Sequence, residues 1–188
     1  MDKQQQIINA AAQSFSQYGY KATTMEQVAK IAQVGKGTVY LYFSNKEKLL
    51  KEIVRSLAVE MRMVADQHIQ ASEGFVERFD AALYAILQFR EQHDLMVKLS
   101  LELNDFGTPI VKEVLDSFEQ EICVYIADKV RLAIEKEEIR SCDPEITAFL
   151  MYKMYINLIH DWQKHHSPIS RERAAALIRL YFIEGLQP

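Results

Sequence analysis

Apolar residues recur at helical spacing from the start of the chain, and no run alternates apolar and polar residues as a strand would. Ile8, Ala11, Ala12 and Phe15 repeat at this spacing, and Gly19 follows as a terminator. A first helix is therefore predicted over residues 3–18. Because the same periodicity continues to the end and the chain has only six glycines and four prolines, it is predicted to be all-α.

A second helix is predicted to end near residue 32. It begins at one of two threonines, since Thr23 with Glu26 and Thr24 with Gln27 both match a capping box. After a turn at residues 33–35, the segment 36–43 is too short to form a helix without neighbours.

Ser44 and Glu47 match a third capping box, which predicts a long helix over residues 46–70 that joins two domains. Further helices are predicted near 75–92, 94–104, 109–138, 144–165 and 170–185, with Pro109 and Pro144 in the first turn of theirs. The chain is thus expected to form about nine helices, divided into domains 1–47 and 48–188.

Composition and charge narrow the class of protein. Hydrophobic residues make up 49% and charged residues 26%, as in a soluble globular protein. The net charge is −4, but residues 1–55 carry eight basic against four acidic side chains, which is +4, and the remainder carries −8. Since lysine and arginine neutralise phosphates, the basic N-terminal third is typical of a DNA-binding domain.

Other sequence signals bear on location and redox chemistry. The longest stretch without charge, Gln4–Tyr20, is rich in Gln and Ser, so no membrane span is expected. The N-terminus does not read as a secretory signal, and the protein is expected to be cytoplasmic. Cys123 and Cys142 are expected to be reduced thiols, since neither a disulfide framework nor a zinc site is indicated.

The two short helices before residue 43 have the dimensions of a helix-turn-helix, whose second helix enters the DNA major groove. Apolar Val39 and Phe43 are expected to anchor this second helix in the core. The other positions of this helix include Lys36, Thr38, Tyr40 and Tyr42, whose side chains can bind base edges and phosphates. Gly37 would let the backbone come close to the duplex, and the position of Leu41 opposite the anchors suggests contact with a thymine methyl group.

This region resembles the TetR-type transcriptional regulators. The resemblance covers about residues 5–54, and its motifs are residues 24–32, Val34 and residues 36–50, with a Gly-Thr-x-Tyr-x-Tyr-Phe recognition helix followed by Lys-Glu-x-Leu. It implies a three-helix DNA-binding domain and a C-terminal helical bundle for ligand binding and dimerisation. The implied roles are base or backbone contacts by Lys36, Gly37, Thr38, Tyr40 and Leu41, and phosphate contacts by Thr24, Tyr42 and Lys46.

The turn departs from the pattern Ala-Gly-Val-Ser that is usual in the family. Gln33 stands in place of the glycine, and Gly35 stands in place of the serine cap. The capping contact, and any phosphate contact from that hydroxyl, are therefore in doubt. Glycine is itself a tolerated N-cap, so the helix is still expected to form.

The last two predicted helices, 144–165 and 170–185, are apolar on more than one face. Such helices must be buried nearly all round, and the chain has too few other helices to cover them. They are expected to form a homodimer interface, which would place two recognition helices on a palindromic double-stranded operator. A repressor released by a small, largely apolar effector is the favoured function; a DNA-binding dimer without a ligand, or an activator, are the alternatives.

Candidate effector-binding residues lie on the inward faces of the predicted central helices. They are Phe89, Met96, Leu99, Leu103, Phe106, Met151 and Tyr155. Glu102 could bind a cationic ligand or cap a helix end. The group His160, Asp161, His165 and His166 is poorly spaced for a metal, and neither a metal nor a cofactor is expected. No catalytic motif is present, so an enzyme is not expected.

Overall fold

The computed structural model describes residues 2–70, 74–91 and 93–184, and within them nine α-helices and no strand. The all-α prediction is confirmed. The helices are α1 (Lys3–Tyr18), α2 (Met25–Ile31), α3 (Lys36–Tyr42), α4 (Lys46–Gln70), α5 (Phe75–Glu91), α6 (Leu95–Phe106), α7 (Pro109–Glu135), α8 (Pro144–Ile156) and α9 (Arg171–Ile178).

The predicted helix starts are mostly confirmed, with one correction. Thr24 is the N-cap of α2, which decides between the two candidate threonines. The predicted capping box of Ser44 and Glu47 is wrong, because the Lys48 amide donates to Oδ1 of Asn45 at 2.8 Å. Asn45 is thus the residue that caps α4, and asparagine is among the strongest N-cap residues.

The helix ends differ more from the prediction. α6 ends at Phe106 and α7 at Glu135, whereas residues 104 and 138 were predicted. The predicted helix 144–165 is α-helical only to Ile156 and continues as a π-helical turn, Asn157–Asp161, and a 3-10 turn, Trp162–Lys164. α9 likewise continues as a π-helical turn, Arg179–Glu184, and the predicted last residue, 185, lies outside the described residues.

The chain forms two compact units. Unit 1 comprises residues 1–59 and 93–118, and unit 2 comprises residues 60–92 and 119–188. All three helices of the predicted DNA-binding domain lie in unit 1 together with α6, so this compact unit extends beyond the predicted division after residue 47.

Unit 1 is built around α1, which packs against α2 and α6, while α2 packs against α3. Most of its fully buried side chains are apolar, and these include Ile7, Phe15, Val28, Val39, Leu49, Leu99 and Val111. Two buried hydroxyls join α1 to the segment before α2: Oγ of Ser14 and Oγ1 of Thr23 are 3.0 Å apart, and Thr23 also donates to the Gly19 carbonyl at 2.9 Å. α1 and the start of α2 are therefore held by both packing and hydrogen bonds.

Unit 2 contains two apolar clusters. One joins α5, α9 and the π-helical turn after α8, and its buried members are Leu83, Leu87, Ile159, Ala174 and Ile178. The other joins the C-terminal half of α7 to Ile139 in the segment that follows it. α5 packs against α9, and α8 also packs against α9.

Candidate nucleic-acid interface

The helix α2 is held by hydrogen bonds at both of its ends. At the start of α2, Thr24 Oγ1 accepts from the Gln27 amide at 3.2 Å, and the Gln27 side chain accepts from the Thr24 amide at 2.7 Å. At the end of α2, Gln33 has a positive φ of 53°, and the Val34 amide donates to the Ala29 carbonyl at 3.0 Å. This is a Schellman ending, in which the left-handed position usually holds glycine.

α3 buries one side and exposes the other. Val39 is fully buried and Phe43 is 5% exposed, as predicted for the two anchors. Leu41 is 84% exposed, and Tyr40 and Tyr42 are nearly half exposed. Leucine at such exposure contributes nothing to the core of the chain, so the outward side of α3 presents a surface suited to a partner.

Lys36 and Gly37 form the exposed start of α3. Nζ of Lys36 lies 3.4 Å from Oε2 of Glu26 on α2, and both side chains are more than half exposed. Such a pair is weak, so the lysine can be diverted to a phosphate or a base at little cost. A Cβ atom on Gly37 would meet no atom within 4 Å, and the fold itself therefore does not require glycine there.

The Lys46 side chain bonds to backbone carbonyls of the same chain, which the sequence did not predict. Its ammonium donates to the carbonyls of Tyr20 and Thr23 at 2.7 and 2.8 Å and approaches that of Lys21 at 3.4 Å. Burial lowers the pKa of Lys46 from its ordinary 10.5, an effect that the negative charge of Glu102 opposes. The donors of Lys46 are thus used inside the chain, whereas a phosphate contact was predicted.

Comparison with known proteins agrees with this geometry. Residues 7–53 match the sequence profile of the bacterial regulatory proteins of the tetR family. The chain is 47% identical, over 186 residues, to the uncharacterized HTH-type transcriptional regulator YhgD of Bacillus subtilis, covering 99% of this chain and 97% of that protein. The chain belongs to the TetR family.

Solved structures share the fold of this TetR-family regulator along nearly its whole length. One is a protein from Rhodococcus sp. assigned to the TetR family, with a TM-score of 0.81, 21% identity and complete coverage of both chains. Another is SmeT in complex with triclosan, with a TM-score of 0.81 and 17% identity, covering 100% of this chain and 93% of that one. The chain is accordingly a DNA-binding transcriptional regulator and not an enzyme.

The structure divides the predicted effector-binding residues between the two units. Met96, Leu99, Leu103 and Phe106 lie on α6 in unit 1, while Phe89, Met151 and Tyr155 lie in unit 2. Within unit 2, Tyr155 packs against the cluster around Ile159, and Met151 packs against the cluster around Val130. The seven residues therefore do not form one cluster within either unit.

Phe106 and Leu99 differ most from the expectation for a pocket. Phe106 is 62% exposed, and the Lys21 ammonium lies 4.8 Å from the centre of its ring. Leu99 is fully buried in unit 1.

Unit 2 has an open hollow of about 370 Å³, and none of the predicted effector-binding residues lines it. The residues that line it are Trp162, His166, Ser167, Pro168, Ile169, Ser170 and Arg173.

Sequence reasoning missed two side chains that support the DNA-binding region. Nε2 of Gln6 on α1 donates to the carbonyl of Ala32, next to the turn, at 2.8 Å. Glu102, which was considered for a cationic ligand or a helix cap, accepts hydrogen bonds from the backbone amides of Tyr20 and Lys21. Neither contact carries a sequence signal, because each joins a side chain to the backbone of a distant segment.

In the ranges that the structure describes, no group of three metal-ligating side chains is placed to hold a metal ion. Within those ranges, too, no helix has the length and apolarity needed to cross a lipid bilayer.

Proposed function

We propose that this TetR-family regulator is a homodimeric repressor, that it reads a palindromic operator through α3, and that a small, largely apolar effector releases it. The observation that carries the proposal is the exposed side of α3, where Leu41 and two tyrosines face outward from buried anchors. A helix of this kind in a helix-turn-helix lies in the major groove with its N-terminal residues at the base edges.

Each exposed residue is given a role by its chemistry. Lys36 and Thr38 contact base edges, Gly37 allows close approach of the backbone, and Tyr40 and Leu41 contact bases or the adjacent backbone. Tyr42 and Thr24 contact phosphates, and the hydroxyl hydrogen of Thr24 remains a possible donor while its oxygen caps α2. Lys46 is proposed to hold the segment before α2, since its donors lie on the carbonyls of residues 20–23.

Dimerisation is proposed through α8 and the C-terminal helix. Ile146, Phe149 and Leu150 on α8 are about half exposed, as are Leu180 and Tyr181 after α9. Contiguous exposed apolar side chains of this size mark interaction surfaces. A two-fold interface made by this surface would pair two copies of α3, which suits half-sites about 34–36 Å apart on the duplex.

An effector is proposed because SmeT, which shares the fold, was solved in complex with triclosan, an apolar ligand. Unit 2 offers methionine and tyrosine side chains that can adapt around such a molecule, among them Met154 and Tyr155. The effector would act by changing the population of dimers whose recognition helices match the operator spacing.

The reading role of α3 is tested by selecting duplexes from a random pool with the wild type and with the Lys36→Ala, Thr38→Ala, Tyr40→Ala triple variant. The wild type is expected to enrich a palindrome, and the folded triple variant is expected to enrich nothing. Lys164→Ala, which removes the same charge from a half-exposed position in unit 2, is the control and is expected to behave as wild type. A triple variant that enriches the same palindrome would refute the reading role.

The dimer surface is tested by sedimentation of Leu150→Glu combined with Tyr181→Glu. This variant is expected to be a monomer that binds the selected operator weakly. Met63→Glu, which places a charge at another exposed apolar position, is the control and should remain a dimer.

Release by an effector is tested by repeating the duplex selection in the presence of the small-molecule fraction of a cell extract. If operator binding is unchanged by every compound that binds the protein, the effector proposal is refuted.

A further inference from the structure

Glu102 is a buried charged residue on α6, and its partners are backbone amides. Its side chain is 6% exposed. Oε2 accepts from the Tyr20 amide at 2.6 Å, and Oε1 accepts from the Lys21 amide at 3.1 Å. The Thr108 hydroxyl adds a long contact to Oε1 at 3.4 Å. Since an unpaired buried carboxylate would be very costly, these bonds make the carboxylate tolerable and fix its place.

The amides of Tyr20 and Lys21 belong to the α1–α2 loop, which we define as residues 19–24. The carbonyls of the same loop accept from the Lys46 ammonium of α4. The loop therefore offers its donors to a carboxylate and its acceptors to an ammonium. Its orientation is set by two charged side chains, Lys46 of α4 and Glu102 of α6, and both helices follow the loop in the sequence.

Close packing restricts the loop further. Gly19 has a φ of 85°, and a Cβ atom on it would lie 2.9 Å from Oε2 of Glu102. The Tyr20 ring is buried and lies 4.2 Å from the Lys46 ammonium. Burial, together with the negative charges of Glu47 and Glu102, raises the pKa of Tyr20 to about 12. The loop thus has little freedom to shift while the Glu102 carboxylate is in place.

The loop leads directly into the helix-turn-helix. Its last residue, Thr24, is the N-cap of α2, and α2 packs against α3. A shift of residues 20 and 21 would therefore also move α2 and α3, because the connection through Thr24 is short and hydrogen-bonded. The hydrogen bonds from these two residues to α6 are made to the Glu102 carboxylate, and the Lys21 ammonium also lies 4.8 Å from the ring centre of Phe106 on α6.

We propose that Glu102 is a positioning residue for operator recognition, which sets the orientation of α2 and α3 by holding the α1–α2 loop to α6. The inference rests on the proposal that α3 reads the operator. It differs from a general contribution to stability, because loss of the carboxylate would leave the protein folded with its recognition helix less well oriented. Selective binding then falls more than non-selective binding, which depends on phosphate contacts alone.

The test compares Glu102→Gln and Glu102→Ala with Val111→Ala, which removes buried apolar atoms from α7 in the same unit. Operator affinity, affinity for a random duplex and thermal stability are measured for each. The operator is the palindrome selected by the wild type. Ser100→Ala is the neutral control, because the Ser100 hydroxyl bonds only within α6, to the Met96 carbonyl.

We expect Glu102→Ala to weaken operator binding by about tenfold or more while random-duplex binding changes by less than about twofold. Glu102→Gln should fall between Glu102→Ala and the wild type, since an amide oxygen can accept from one of the two N–H groups. Val111→Ala should lose thermal stability and keep its operator affinity. If the Glu102 variants lose no more operator affinity than Val111→Ala, the proposal is overturned.

A second measurement does not involve DNA. Amide hydrogen exchange at Tyr20 and Lys21 should accelerate in Glu102→Gln and propagate into α2 and α3, and Ser100→Ala should exchange as the wild type does. Because it uses Glu102→Gln, this measurement still tests the proposal if Glu102→Ala does not fold. Unchanged exchange in Glu102→Gln would overturn the proposal, whereas failure of α3 as the reading helix would appear separately, as undiminished selection by the Lys36, Thr38, Tyr40 triple variant.

Discussion

Gly37 provides a direct test of the DNA-binding surface, because stability and DNA affinity should move in opposite directions. The change is Gly37→Ala, near the start of α3. No atom lies within 4 Å of the added methyl group, so no clash offsets the gain from replacing glycine in a helix. That gain is about 0.5–1 kcal/mol, because alanine loses less backbone entropy on folding.

For a chain of this length, the gain corresponds to a rise in melting temperature of roughly 1–4 °C. On the operator, the same methyl group would stand between the helix backbone and the bases in both half-sites. A disturbed base contact costs about 1–3 kcal/mol, so each half-site should lose about fivefold to 150-fold in affinity. The assays are thermal unfolding and a fluorescence-anisotropy titration of the selected operator.

Glu137→Gly is the matched control for Gly37→Ala. Glu137 lies just after α7 in unit 2 with a φ of 57°, so glycine would relieve left-handed strain of about 1–2 kcal/mol and add back about 0.4–1 kcal/mol of unfolded-chain entropy. The net gain in stability is similar to that of Gly37→Ala, but the substituted residue belongs to unit 2 and is not part of α3. If Gly37→Ala is folded and binds the operator as well as Glu137→Gly does, the backbone of α3 does not approach the duplex, and the reasoning fails.

Three further predictions follow from the same contacts. Gln33→Gly should stabilise the fold by about 0.5–1 kcal/mol in chemical denaturation, since Gln33 has a φ of 53°; a loss would show that the turn is not strained. Glu26→Gln should tighten random-duplex binding and leave stability within about 0.5 kcal/mol, because the pair with Lys36 is exposed; weaker binding would contradict this. Burial opposes ionisation of Asp66, but hydrogen bonds from Lys129 and Tyr125 outweigh it and hold its pKa below 3.8. The stabilisation is present above pH 3.8 and is lost as pH falls through the lowered pKa, so the difference in melting temperature between wild type and Asp66→Asn should shrink in acid; a constant difference would refute it.

The elements that sequence patterns predicted well are those whose signals are local. A capping box uses residues three apart, and the two boxes near residue 24 left only the choice between Thr23 and Thr24. The structure decides it through tertiary contacts, because the Thr23 hydroxyl is buried against Ser14 and the Gly19 carbonyl. Periodicity also predicted the buried anchors Val39 and Phe43, because residues four apart lie on the same face of a helix.

The parts that could not be predicted depend on distant partners. Glu102 bonds to amides 81 and 82 residues earlier in the chain, and no spacing rule relates them. The family resemblance implied a phosphate contact for Lys46, and the sequence carried no sign of its bonds to carbonyls 23–26 residues away. The π-helical turns after α8 and α9 escaped prediction because a pattern of apolar residues does not separate 3.6 residues per turn from a locally wider turn.

In the proposed mechanism, the side chains that read the operator differ from those that position the recognition helix. The outward residues of α3, such as Leu41, are exposed and contribute little to the core, so replacing them can alter base preference without unfolding the chain. Gln6, Lys46 and Glu102 bond to backbone atoms that lie before and after α2. Because backbone atoms are the same whatever the sequence of the recognition helix, the three supports would hold a recognition helix of altered sequence equally well. Changes at α3 should therefore shift the selected palindrome, whereas changes at the supports should weaken binding to the same palindrome.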